Sequence, residues 1–130
     1  LLEVAGIEKP TDKVLDGKSI LAVMKGEKMD ERPLYWHFPI YLEGGNKETQ
    51  DPVFRTRPGS AIRLGDWKLI QYFENNDLEL YNLQDDISEK NNLAGSNSEK
   101  VEELLSMLEI WRTETNAPVP TKLNPDYKVE

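Results

Sequence analysis

From Leu34 to Leu83 apolar and polar residues alternate with period two, and from Val101 to Trp111 they recur with the period of a helix. In LYWHF, Leu34, Trp36 and Phe38 fall on one face and Tyr35 and His37 on the other, which predicts a strand. Further strands are predicted in SAIRL (60–64), WKLIQYF (67–73) and DLELYNL (77–83). Gly65-Asp66 is a two-residue, Gly-first connection that suits a tight hairpin. Asn75-Asn76 turns the chain again, because Asn tolerates positive φ. Val101, Leu104, Leu105, Leu108 and Trp111 then recur at i, i+3, i+4, i+7 and i+10, with Met107 and Ile110 widening the stripe. Ser96 or Ser98 is the expected N-cap. The expected fold is α+β: a four-stranded antiparallel sheet, 33–38 plus the meander, packed against one long C-terminal helix. That helix is expected to cover the Leu34, Trp36 and Phe38 face, so that His37 looks outward.

The remaining segments are connections. Residues 1–32 read as a linker and a short helix, with Gly6 ending a helix tail, Asp16-Gly17 turning, and Ser19 to Lys25 forming an apolar turn of helix stopped by Gly26. Residues 33–114 form the α+β subdomain. Pro39 ends the first strand, and 39–58, with Gly44-Gly45, Pro52 and Pro58, read as a long loop of the kind that is usually functional or mobile. Residues 84–97 are turn-rich, anchored by Leu93, and 115–130 form an extended tail with three prolines. The chain starts without Met, in what reads as the last turn of a helix, and is therefore expected to be a piece of a longer one.

Composition removes several function classes. A net charge of −8 without a basic stripe argues against nucleic acid as a partner, since that binding is driven by Lys and Arg on phosphates. The chain has no cysteine, so disulfides, thiolate metal sites and thiol nucleophiles are absent together. No apolar run approaches the ~18–20 residues of a membrane span. Asp85, Asp86 and Glu89 lack the glycine and spacing of a calcium loop and read as a capped polar turn.

Three side chains remain as candidates. His37 is the single histidine, between two aromatics, and a histidine alone is no nucleophile-and-base system. Arg55 and Arg57 lie in the long loop, where guanidinium groups could fork onto a sulfate or carboxylate or bridge to surface acids. No catalytic, metal or nucleotide motif occurs, so no complete active site is encoded here.

The motifs in order resemble a known family. LLEVAGI, LDGKSILAVMKGE, RPLYWHFP, SAIRLGDWKLIQYFENNDLELYNLQDD, EKNNLA and a helix ending in Trp111 are similar to the C-terminal subdomain of bacterial sulfatases. These are of the arylsulfatase or iduronate-2-sulfatase-like group, in the alkaline-phosphatase-type superfamily. The resemblance implies a parent sulfuric ester hydrolase acting on a sulfated carbohydrate or an aryl sulfate. Its calcium and formylglycine would lie in a catalytic domain outside this chain, and none of their ligands can be carried over. The partner implied is that catalytic domain, in an exported, periplasmic or cell-surface protein. His37, Arg55 and Arg57 would then sit at the substrate-facing edge, His37 either touching substrate or fixing the loop or the domain interface. Where relatives often continue WHFP with a second histidine, this chain has Ile40, and Ile87-Ser88 replaces the usual Pro and Gly. The isolated piece is expected to expose an apolar patch and to be inactive, and it could dimerise. The alternative is a free-standing module that binds an acidic or sulfated glycan.

Overall fold

The computed structural model describes residues 1–15, 17–44 and 54–122. The chain divides into two compact units, Leu1–Glu31 and Arg32–Glu130. In the first, Ala5 N–H donates to the Leu1 carbonyl at 3.0 Å and Gly6 turns the chain at φ +67. Helix α1 (Leu21–Met24) is a single turn, opened by Ser19 Oγ accepting from Leu21 N–H at 3.3 Å. Lys25 N–H donates back to Leu21 and Ala22, and Gly26 follows at φ +84.

The second unit holds strands β1 (Leu34–Phe38), β2 (Leu42–Glu43), β3 (Phe54–Thr56), β4 (Gly59–Leu64), β5 (Trp67–Tyr72), β6 (Leu78–Asn82) and helix α2 (Ser98–Thr115). The main sheet has four antiparallel strands in the order β1-β4-β5-β6. Gly65 at φ +57 closes the β4–β5 hairpin on the pair Leu64↔Trp67, and Asn76 at φ 56 turns β5 into β6. The long loop contains structure of its own: β2 pairs antiparallel with β3 as a separate two-stranded ladder with a register shift. Its tip, including Gly45 and Pro52, lies outside the described residues.

Register sorts side chains into two faces. Tyr35, Ile62, Leu69 and Leu80 form one rung, and His37, Ser60, Gln71 and Leu78 another on the same face. Ile62, Leu69 and Leu80 are fully buried beneath Val101, Leu104 and Leu108 of α2. Trp111 stacks on Tyr35 with centroids 4.8 Å apart and planes 4° from parallel. The helix thus covers the Tyr35 and His37 face. The expectation that it covers Leu34, Trp36 and Phe38 is overturned; these stay exposed, Trp36 by 51%. The reason is the register: Tyr35, not Trp36, shares a rung with the apolar centre of β4–β6, and α2 follows that centre. Ile110, assigned to the stripe, is also exposed.

Two devices complete the packing. Gly59 pairs with Tyr72 so closely that a Cβ there would stand 2.7 Å from the Gln71 carbonyl oxygen, which leaves room for glycine alone. At the free edge of β6, Asn92 Oδ1 accepts from Leu80 N–H at 3.0 Å and Asn92 Nδ2 donates to the Leu78 carbonyl at 3.1 Å. Leu93 N–H adds a bond to the Leu80 carbonyl at 2.8 Å and its side chain joins the core. The NNLA segment therefore occupies edge groups that could otherwise pair with another chain. Helix α2 starts after Asn97, without a side-chain cap, and ends in left-handed Asn116 at φ 53. The turn at 85–91 is closed by Asp86 Oδ2, which accepts from Lys90 and Asn91 N–H at 2.8 Å, the capped polar turn expected.

Candidate functional site

The corner where β1 and β5 end gathers the candidate residues. His37 projects inward from β1 and is held at both ring nitrogens. Pro118 offers only a carbonyl, so Nε2 carries the proton and donates to it at 2.9 Å. Nδ1 is then an acceptor, and the hydroxyl of buried Ser60, its cross-strand neighbour, donates to it at 2.8 Å. Phe73 at 5.8 Å and the edge of Trp111 at 6.3 Å flank the ring. His37 therefore ties the segment after α2 to the sheet. Beside it, Arg112 Nη1 donates to Gln71 Oε1 at 2.7 Å and its guanidinium lies 5.6 Å from the Phe73 ring. Burial pulls the Arg112 pKa below its ordinary value, against the opposing pull of Glu109.

Arg57 belongs to the other side of the corner. Its guanidinium lies 4.2 Å from the centroid of Tyr72, which the register puts on the face opposite His37. Nη1 reaches Asp77 Oδ2 at 3.3 Å and Glu74 Oε2 at 3.4 Å. Burial works to lower its pKa, but the bond to Asp77 and the charge of Glu74 outweigh it and leave it raised. The other oxygen of Glu74 accepts a short hydrogen bond from the Tyr41 hydroxyl. Arg55, on β3, is exposed, and no described residue pairs with its guanidinium.

These pieces border a cleft of about 410 Å³, walled by Pro39, Ile40, Tyr41, Phe73, Glu74 and Pro120. Its walls are mostly proline, isoleucine and aromatic carbon, with the Glu74 carboxylate, the Tyr41 phenol, Thr121 and the Lys122 ammonium as its polar groups. Sequence reasoning missed Tyr41, Ser60, Glu74 and Gln71. Ser60 and Gln71 carry a readable signal, since they are polar residues at inward positions of a period-two pattern. Tyr41 and Glu74 carry none, because a long connection brings them together. Among the described residues, His37 and Arg57 meet adjacent residues of one corner, Phe73 and Glu74.

The contacts of the corner brace the segment after α2 and the β2–β3 hairpin against the main sheet. Among the described residues no group of three or more histidines and carboxylates could hold a metal ion. Among the described residues no helix is long and apolar enough to cross a membrane. On the face away from α2 a recess of about 460 Å³ lies among Trp36, Ile70, Leu83 and Ile87, flanked by Arg63 and the Lys68–Glu89 ion pair.

Comparison with known proteins places this architecture. A family described as N-sulphoglucosamine sulphohydrolase, C-terminal, matches residues 1–114. A sulfatase of Formosa agariphila is 35% identical over 133 residues, covering 91% of this chain and 22% of the relative. A Delta 4,5-hexuronate-2-O-sulfatase of Bacteroides thetaiotaomicron is 31% identical over 98 residues, 72% of this chain and 18% of the relative. Among solved structures, a 2-O GAG sulfatase superposes with a TM-score of 0.61 at 26% identity, over 89% of this chain and 23% of that one. A second structure, in complex with its substrate D-glucosamine-2-N,6-O-disulfate, gives 0.65 at 26% identity, over 93% and 24%. The chain thus spans no more than about a quarter of the length of these relatives. With 114 of its 130 residues matched, it belongs to the N-sulphoglucosamine sulphohydrolase C-terminal family.

Proposed function

We propose that this chain serves as the C-terminal subdomain of a sulfuric ester hydrolase acting on sulfated sugars. Its bare sheet face seats against the catalytic domain of the same protein, and the β1–β5 corner closes one side of that domain's cleft. The observation that carries the reading is the family match over residues 1–114. The relatives named as a sulfatase and a hexuronate-2-O-sulfatase support the substrate class. The apolar face of Leu34, Trp36, Phe38 and Ile87 supports the partner, because contiguous apolar surface of that kind marks an interaction site. In this reading the formylglycine nucleophile and its calcium ion belong to the catalytic domain, in an exported protein. The isolated chain is inactive and self-associates through the bare face.

The three candidate side chains divide by role. Arg55 is the one with a guanidinium open to an anion, and it meets a sulfate or carboxylate of the substrate. His37 and Arg57 are already occupied by the fold, and they hold the corner on which the substrate rests. Sulfate release by the whole protein tests the reading, measured on sulfated glycosaminoglycan disaccharides and on para-nitrophenyl sulfate. Turnover of the sugars is expected, with Arg55→Ala lowering kcat/KM on them about tenfold and leaving the aryl ester unchanged. Failure of the whole protein to release sulfate from either class would refute it.

A further inference from the structure

We propose that Glu74 is a positioning residue, a single carboxylate that clamps both limbs of the β2–β3 hairpin and so sets where Arg55 points. This deepens the functional reading above and rests on it. The hairpin leaves β1 at Phe38 and returns to β4 at Gly59, and its limbs are joined by the short β2–β3 ladder. Two described residues of this excursion, one on each limb, reach the same side chain. Tyr41, immediately before β2, donates its hydroxyl to Glu74 Oε1. Arg57, immediately after β3, donates from Nη1 to Glu74 Oε2 at 3.4 Å. Asp77 takes a second contact from the same Nη1 at 3.3 Å, and the ring of Tyr72 lies beneath the guanidinium. Glu74 itself is fixed by the corner after β5, where Phe73 N–H donates to the Pro58 carbonyl and Tyr72 N–H to the Asp77 carbonyl, both at 2.9 Å.

The geometry explains why a two-residue β2 with a shifted register can hold its place. Such a ladder has too few hydrogen bonds to be stable alone. Pinning both limbs to one carboxylate removes the loop-closure freedom that would otherwise let the hairpin swing. Arg55 lies on the returning limb, two residues from Arg57, so its direction follows the clamp. The clamp also separates two arginines that look alike in sequence: Arg57 is spent on Glu74 and Asp77, and Arg55 is left exposed.

The test compares Tyr41→Phe, Glu74→Gln and their double variant in the whole protein. Each is read by KM and kcat on sulfated glycosaminoglycan disaccharides and on para-nitrophenyl sulfate. Tyr41→Phe removes one hydroxyl and keeps the ring, so folding is retained and the bond to Glu74 is lost. Each single variant is expected to raise KM for the sugars about fivefold, with kcat within about twofold and the aryl ester unaffected. The double variant should be no worse than Glu74→Gln, because both changes break one clamp. Unchanged KM on the sugars, even with a lowered Tm, would overturn the positioning role, and so would an equal rise on both substrates. Wild-type protein that turns over neither substrate overturns the functional reading and the clamp's role with it.

Discussion

On one side of the main sheet, Ile62, Leu69 and Leu80 disappear beneath Val101, Leu104 and Leu108. On the other, Leu34, Trp36 and Phe38 of β1 lie at the surface with Ile87 beyond them, the last exposed by 77%. Both faces use the same strands and both carry large apolar side chains. The difference is a second layer, which this chain supplies for one face only. A sheet becomes a core where something covers it, and hydrophobicity alone does not choose which face that is. The inner face also shows what burial demands of polar groups. His37, Ser60, Gln71 and Arg112 form bonded pairs there, and among the described residues no buried side-chain nitrogen or oxygen lacks a partner. The outer face carries Arg63, which donates to the Gly65 carbonyl, and the Lys68–Glu89 pair, all beside apolar residues that no described element of this chain covers.

Removing a side chain from each face measures that contrast. Leu104→Ala should have the largest effect, a loss of about 2–5 kcal/mol in urea unfolding of this chain, because a fully buried leucine leaves a cavity that rigid neighbours refill poorly. A change under about 1 kcal/mol would mean that α2 is not the second layer. His37→Ala should come next, at about 1–3 kcal/mol, since it strands the buried Ser60 hydroxyl and releases the Pro118 carbonyl. The segment after α2 should at the same time become more sensitive to protease, and a tail cut at the wild-type rate would show that His37 does not hold it. Trp36→Ser should be the smallest, within about 0.5 kcal/mol for this chain by itself at a dilution where it is monomeric. In the whole protein the same change should destabilise clearly if the outer face is a domain interface. Equal effects with and without the rest of the protein would remove that assignment.

Much of the local structure was legible because it depends on neighbours in sequence. Gly65 and Asn76 place the turns, period two marks the strands, and the stripe from Val101 to Trp111 marks α2. Leu93 was legible as an anchor because it is one of two large apolar residues in a polar run, the other being the exposed Ile87. The corner was not. Tyr41 meets Glu74 and His37 meets Pro118 across separations of 33 and 81 residues, and nothing in the alternation encodes those distances. Arg55 and Arg57 lie two apart and looked equivalent, until the fold gave one of them two carboxylates.

The sequence by itself determined that the main sheet has two faces, four strands and one covering helix, because strand and helix periods are properties of the backbone. It also determined, by the absence of cysteine, that the chain forms no disulfide and no thiolate metal site. Only the tertiary structure decided which face of β1 lies inside. Alternation has a period but no sign, and β1 and β4 are joined by the long connection 39–58, which does not fix their register as a two-residue hairpin would. The pairing of Tyr35 with Ile62 makes that choice. It turns the lone histidine from an outward candidate into a brace inside the fold.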